Sequence, residues 1–91
     1  MIEILQTPSF SRDIKKLHSN QKKDLDFAIR KIADQPDIGQ LKKGDLAGTR
    51  VYKFQMVNQL TLLAYRVIGN NVQLILWAVG LHENFYRDLK K

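Results

Sequence analysis

The spacing of hydrophobic positions along this chain shifts from two residues to about three and a half, disappears, and returns to two. Residues 1–6 alternate, with Ile2 and Ile4 on one face and Glu3 and Leu5 on the other, which predicts a first strand. Thr7-Pro8 has the form of a helix start, Thr as the capping residue and Pro at the first helical position. Phe10, Ile14 and Leu17 then form one apolar stripe. His18-Ser19-Asn20 interrupts it and provides a cap for a second helix, which carries Leu25, Ile29 and Ile32 on one stripe with Ala28 and Ala33 beside them. That helix is expected to stop near Gln35-Pro36, because proline disfavours helical backbone in the residue before it.

Residues 36–48 read as a loop, rich in glycine, with Ile38, Leu41 and Leu46 expected to tuck against the core. From residue 49 the period is two again. Tyr52, Phe54 and Met56 share one face of a strand, and Val51, Lys53 and Gln55 the other. A turn at Val57-Asn58 leads to a strand over 59–68, and Gly69-Asn70-Asn71 turns the chain into a strand over 72–79. The predicted architecture is therefore α+β in the order β-α-α-β-β-β. A helical hairpin packs on a small antiparallel sheet, and a short C-terminal helix or tail follows. The last two strands are apolar on both sides, and the hairpin covers only one face of the sheet. Too little chain remains for the other, so an exposed apolar face awaiting a partner is expected.

The 91 residues form one domain, 1–91, with a modest core. No apolar run approaches the length of a membrane span, and no signal-peptide pattern opens the chain. With no cysteine, thiolate chemistry is excluded and a cytoplasmic location is expected. His18 and His82 lie far apart and outside any metal-ligand spacing, so neither a metal nor another cofactor is expected. Fifteen Lys and Arg against nine Asp and Glu give a net charge of +6, which favours a polyanionic or acidic partner.

Four stretches carry a resemblance: Lys43-Gly-Asp-Leu-Ala-Gly48, Val51-Tyr-Lys-Phe54, Leu63-Ala-Tyr-Arg-Val67 and Val79-Gly-Leu-His-Glu-Asn-Phe-Tyr86. In this order, on a small basic chain, they resemble the RelE/ParE superfamily, the toxins of bacterial type II toxin–antitoxin pairs. The segment from His82 to Lys90 looks most like its ParE-like branch. The resemblance implies a cognate antitoxin that wraps the exposed sheet face. It also implies one of two targets. RelE-like members enter the ribosome and cut mRNA, whereas ParE-like members inhibit DNA gyrase without breaking bonds themselves.

Under the nuclease reading, Lys53 matches a lysine that stabilises phosphate charge in the transition state. Gln55 and Leu62 depart from the RelE pattern, each removing a cation. His82, just after the last strand, stands where RelE-like nucleases place an arginine or histidine and is the candidate general acid. Tyr86 follows four residues later as a stacking or proton-transfer group, with Phe85 or Leu89 anchoring that segment, and Arg87 is a candidate phosphate ligand. Arg50 and Arg66 are further candidates for a basic face. Lys15, Lys16, Lys22 and Lys23 on the helical hairpin offer a second one. The plainer alternatives are a capping or surface histidine, a tyrosine at a domain edge and a charge-rich helix face that only solubilises. A family member retaining antitoxin binding alone is the third functional possibility.

Overall fold

The computed structural model describes residues 2–83 together with Phe85. Tyr86 and Arg87 therefore lie outside the described residues, as does Leu89. The first strand, β1, is Glu3–Gln6. Thr7 caps the helix that follows, its Oγ1 accepting the Phe10 N–H at 3.1 Å, and Pro8 opens α1, Pro8–Lys15. The same hydroxyl donates to the Trp77 carbonyl at 3.2 Å, tying the helix start to the sheet. His18 is the N-cap of α2, Ser19–Asp34; its backbone N–H donates to Gln21 Oε1 at 2.8 Å, one half of a capping box. The helix ends at Gln35, as the proline after it requires.

The loop that follows contains a two-residue strand, β2 (Gln40–Leu41), and a single 3-10 turn at Gly44–Leu46. Leu46 is buried there, but Ile38 and Leu41 are exposed, because β2 runs along the sheet edge rather than under a helix. Three longer strands complete the chain: β3 (Arg50–Met56), β4 (Gln59–Ile68) and β5 (Gln73–Leu81). The β3–β4 turn places Val57 and Asn58 at φ 50° and 64°, the left-handed pair of a type I′ hairpin. The Val57 N–H donates to Asp24 Oδ2 at 2.8 Å, fastening the hairpin tip to α2.

The five strands lie in the order β1-β5-β4-β3-β2. The sheet is mixed, not wholly antiparallel as expected: β1 pairs with β5 in parallel, Glu3 opposite Gln73 and Gln6 opposite Leu76. Alternation fixes which way side chains face but not which neighbour a strand takes, and the long connection that a parallel pair demands is here the helical hairpin together with β2, β3 and β4.

Both helices pack on one face of this sheet. Phe10, Leu25 and Ile32 meet Met56, Leu63, Tyr65, Leu74 and Leu76 there. The opposite face, called distal below, is not bare. Phe85, from just beyond β5, packs on Val51, Leu62 and Ala64, with Trp77 and Ala78 at the margin. The expectation of an uncovered apolar face is corrected accordingly: one aromatic ring closes its centre, leaving Leu62 fully buried and Phe85 4% exposed. Gly80 lies beside the ring, where a Cβ would meet Phe85 Cδ1 at 3.6 Å in ordinary van der Waals contact. Among the described residues, no helix is long and apolar enough to cross a membrane.

Candidate functional site

The distal face gathers some of the sequence candidates and excludes others. Lys53 stands exposed on β3, in a cross-strand row with Leu62 of β4 and Gly80 of β5. The neighbouring row begins with Gln55 and Leu60. It is extended by the His82 backbone N–H, which donates to the Leu60 carbonyl at 3.1 Å. His82 thus prolongs the β5 ladder by one residue, and the pleat puts it on the same side as Gly80 and Lys53. Two strand spacings and one two-residue step separate the Lys53 and His82 Cα atoms by about 12 Å. Both side chains are exposed, and that separation lets their heads converge on one phosphodiester. Between them the floor is apolar, Leu60, Leu62 and Phe85, where a more cationic site would carry basic groups.

Arg66 lies four residues beyond Leu62 on β4, on the same face. Its Nε donates to Thr49 Oγ1 at 3.2 Å and its guanidinium carbon sits 5.6 Å from the centre of the Trp77 ring. Trp77 reaches this face through a β-bulge. Ala64 pairs with Ala78, the next pair is Tyr65 with Leu76, and Trp77 is the extra residue between them. The sequence reading singled out Arg66 but neither Trp77 nor Thr49. Residues 74–79 are apolar without interruption, so no alternation in the sequence marks the bulge.

Arg50 is directed elsewhere. On the helix side of the sheet, its Nη1 donates to the carbonyls of Gly39 at 2.8 Å and Asp37 at 3.2 Å. The Tyr65 hydroxyl donates to the Pro36 carbonyl at 2.7 Å and accepts the Gly39 N–H at 2.8 Å. Burial pushes the Tyr65 hydroxyl above its ordinary pKa, against the lowering pull of the Gly39 N–H and the Arg50 charge. Arg50 is therefore a clasp for the loop after α2, on the opposite side of the sheet from Lys53 and His82. Lys15, Lys16, Lys22 and Lys23 are exposed on the helical layer, the opposite side of the sheet from Lys53. They do not join Lys53, Arg66 and His82 in one surface. Among the described residues, no three His, Cys, Asp or Glu side chains cluster in a way that would hold a metal ion.

Known structures share this architecture. A chain of the intact Escherichia coli RelBE toxin–antitoxin complex superposes with a TM-score of 0.71 at 20% identity, over 89% of this chain and 96% of that one. The Mycobacterium tuberculosis RelBE2 toxin–antitoxin complex gives 0.74 at 20% identity, over 89% and 98%. The YoeB/ParE toxin from Agrobacterium tumefaciens gives 0.69 at 20% identity, over 89% and 99%. At such identities the likeness establishes the fold. No curated protein sequence matches the chain. The profile of the ParE-like toxins of type II bacterial toxin–antitoxin systems, however, matches residues 4–90. The chain belongs to this ParE-like toxin family, within the RelE/ParE superfamily.

Proposed function

We propose that this toxin is a ribosome-dependent endoribonuclease that cuts mRNA without a metal. The observation that carries the reading is the His82–Leu60 backbone bond, which places a titratable side chain one cross-strand row from Lys53. In this scheme the RNA 2′-hydroxyl gives its proton to water as its oxygen attacks the adjacent phosphorus, and the bond to the 5′-oxygen breaks. His82 gives its proton to that leaving oxygen, and Lys53 stabilises the charge on the phosphoryl oxygens. The products are a 2′,3′-cyclic phosphate and a 5′-hydroxyl. Tyr86 and Arg87 complete the set on sequence grounds, as a proton-transfer or stacking group and a phosphate ligand.

Induction in a bacterial host, with the 5′ ends of cellular mRNA mapped, tests the proposal. Cuts within translated codons are expected. His82→Ala is expected to lower the cleavage rate by about 10²-fold or more. Intact mRNA accompanied by DNA damage and filamentation would overturn the reading. That outcome belongs to a second reading, a gyrase inhibitor with no chemistry of its own. The exposed Leu60 on this face, and Gln55 in place of a cation, favour a protein target in that case.

The partner in either case is a cognate antitoxin, as in the RelBE complexes. A groove of about 310 Å³ between α2 and β3 supports this, lined by Phe27, Ala28, Lys31, Tyr52 and Phe54 among others. Phe27 is 65% exposed there, and Tyr52 and Phe54 stack at 6.1 Å. β2 covers only Arg50 and Val51, so among the described residues the outer edge of β3 from Tyr52 onward has no strand neighbour. An apolar, acidic segment fits this groove and edge better than the distal face, whose centre Phe85 occupies.

A further inference from the structure

Arg66 is held in a way that loop anchoring and core packing do not require. A guanidinium has five N–H donors. Here Nε is occupied by Thr49 Oγ1, and the cation rests over the Trp77 ring. Thr49 is itself immobile: it is fully buried, its N–H donates to the Leu46 carbonyl at 3.0 Å and its carbonyl accepts the Lys42 N–H at 2.9 Å. The head of an exposed arginine is thereby fixed at two points, while its four Nη hydrogens have no carboxylate partner among the described residues. Arg50, one row away on the opposite face, shows the contrast, since its Nη1 is bonded to two loop carbonyls. A preorganised, uncompensated fork is suited to a phosphate, which accepts two parallel N–H bonds. The half-buried indole beside it adds an aromatic surface of the kind on which bases of single-stranded RNA stack.

The position is as informative as the chemistry. Four residues along β4 place Arg66 about 14 Å from the Lys53 row, on the same face as Lys53 and His82. A phosphate at Arg66 is then not the one being cleaved but one further along the strand. We propose that Arg66, clamped by Thr49 and Trp77, is a subsite for a phosphodiester and its neighbouring base in single-stranded RNA. It sets the register in which the strand crosses Lys53 and His82. This inference rests on the RNA-cleaving reading and adds to it a residue that positions substrate without taking part in proton transfer.

The test is cleavage of mRNA on programmed ribosomes by the full chain, alongside fluorescence anisotropy with a short labelled single-stranded RNA. Arg66→Gln is expected to raise KM about tenfold with kcat little changed, whereas His82→Ala lowers kcat. In anisotropy, Arg66→Gln is expected to reduce the salt dependence of binding by about one phosphate contact. Arg66→Lys keeps the charge and is expected to retain that salt slope while losing affinity, which separates a clamped fork from a mere cation. Because Arg66→Lys is mild, an unchanged melting temperature keeps the result readable. An Arg66→Gln variant with unchanged KM and salt slope, beside a parent that cuts RNA, would overturn the subsite alone. A loss confined to antitoxin binding would overturn it too. A parent that neither binds nor cuts RNA would instead remove the nuclease reading, and the subsite with it.

Discussion

Gly39→Ala probes the clasp that removes Arg50 from the candidate site. A Cβ on Gly39 would lie 2.6 Å from Tyr65 Oη, 2.8 Å from Cε1 and 3.0 Å from Cζ, so the ring must move. Tyr65 has nowhere convenient to go, being fully buried with its hydroxyl engaged by the Gly39 N–H and the Pro36 carbonyl. Overpacking of this kind costs about 1–3 kcal/mol. Displacing the hydroxyl adds about 1 kcal/mol or more for buried groups left unsatisfied. The expected loss is therefore about 2–4 kcal/mol, a fall in Tm of roughly 10–30 °C for a chain of this size. Thermal and urea denaturation of the purified chain, on a His82→Ala background to limit toxicity, measures it directly. In a Tyr65→Phe background the 2.6 Å clash disappears while those to Cε1 and Cζ persist. Gly39→Ala should then cost visibly less than in the parent. A Gly39→Ala variant within about 0.5 kcal/mol of the parent, or a double-mutant cycle that closes additively, would refute the argument.

Two further predictions follow from the same geometry. Tyr65 holds its proton more tightly folded than unfolded, so its contribution is fully present below about pH 10, its unfolded value, and is lost as pH rises toward the raised folded value. Denaturation midpoints of the parent should thus fall above pH 10 more steeply than those of Tyr65→Phe; parallel curves would contradict the assignment. Val57 is a β-branched residue held at φ 50°, at a cost of about 1 kcal/mol or more, and it is exposed. Val57→Asn should raise stability by about 1 kcal/mol in urea denaturation, provided the N–H to Asp24 is kept, and a decrease would show that the Val57 side chain has a contact worth more than the strain.

How much of this was legible in the residues depended on how local the determinant was. Thr7-Pro8, the His18 cap and the stop before Pro36 are settled within one helical turn, and each is where local chemistry puts it. The two faces of β3 follow from alternation alone. What lay beyond reach was set by pairings between distant residues. No local signal says that β1 joins β5 in parallel, or that Arg50 bends to loop carbonyls while Arg66, with similar neighbours, stacks on an indole. Trp77 was hidden because the bulge that turns it is a property of the β4–β5 register and not of either strand by itself. Phe85 was expected to anchor its segment and does, yet its effect on the sheet was underestimated. A single ring closed a surface that chain length alone suggested was open. Of the candidate site, the positions of Lys53 and His82 were readable; their neighbourhood was not.

The parallel pairing of β1 with β5 bears on when this toxin comes into being. Glu3 and Gln73, joined side chain to side chain at 2.9 Å, are 70 residues apart in the chain. Strand β1 is made well before β5 and must wait through both helices and three intervening strands before its partner exists. Contacts of such long range also form late and slowly once the chain is complete. His82 follows the same closing strand and is held by its hydrogen bond to β4. A nascent or truncated chain therefore presents helices and a central hairpin but no assembled site. On the proposed reading, synthesis and activity would thus be separated in time by the pairing of the closing strand.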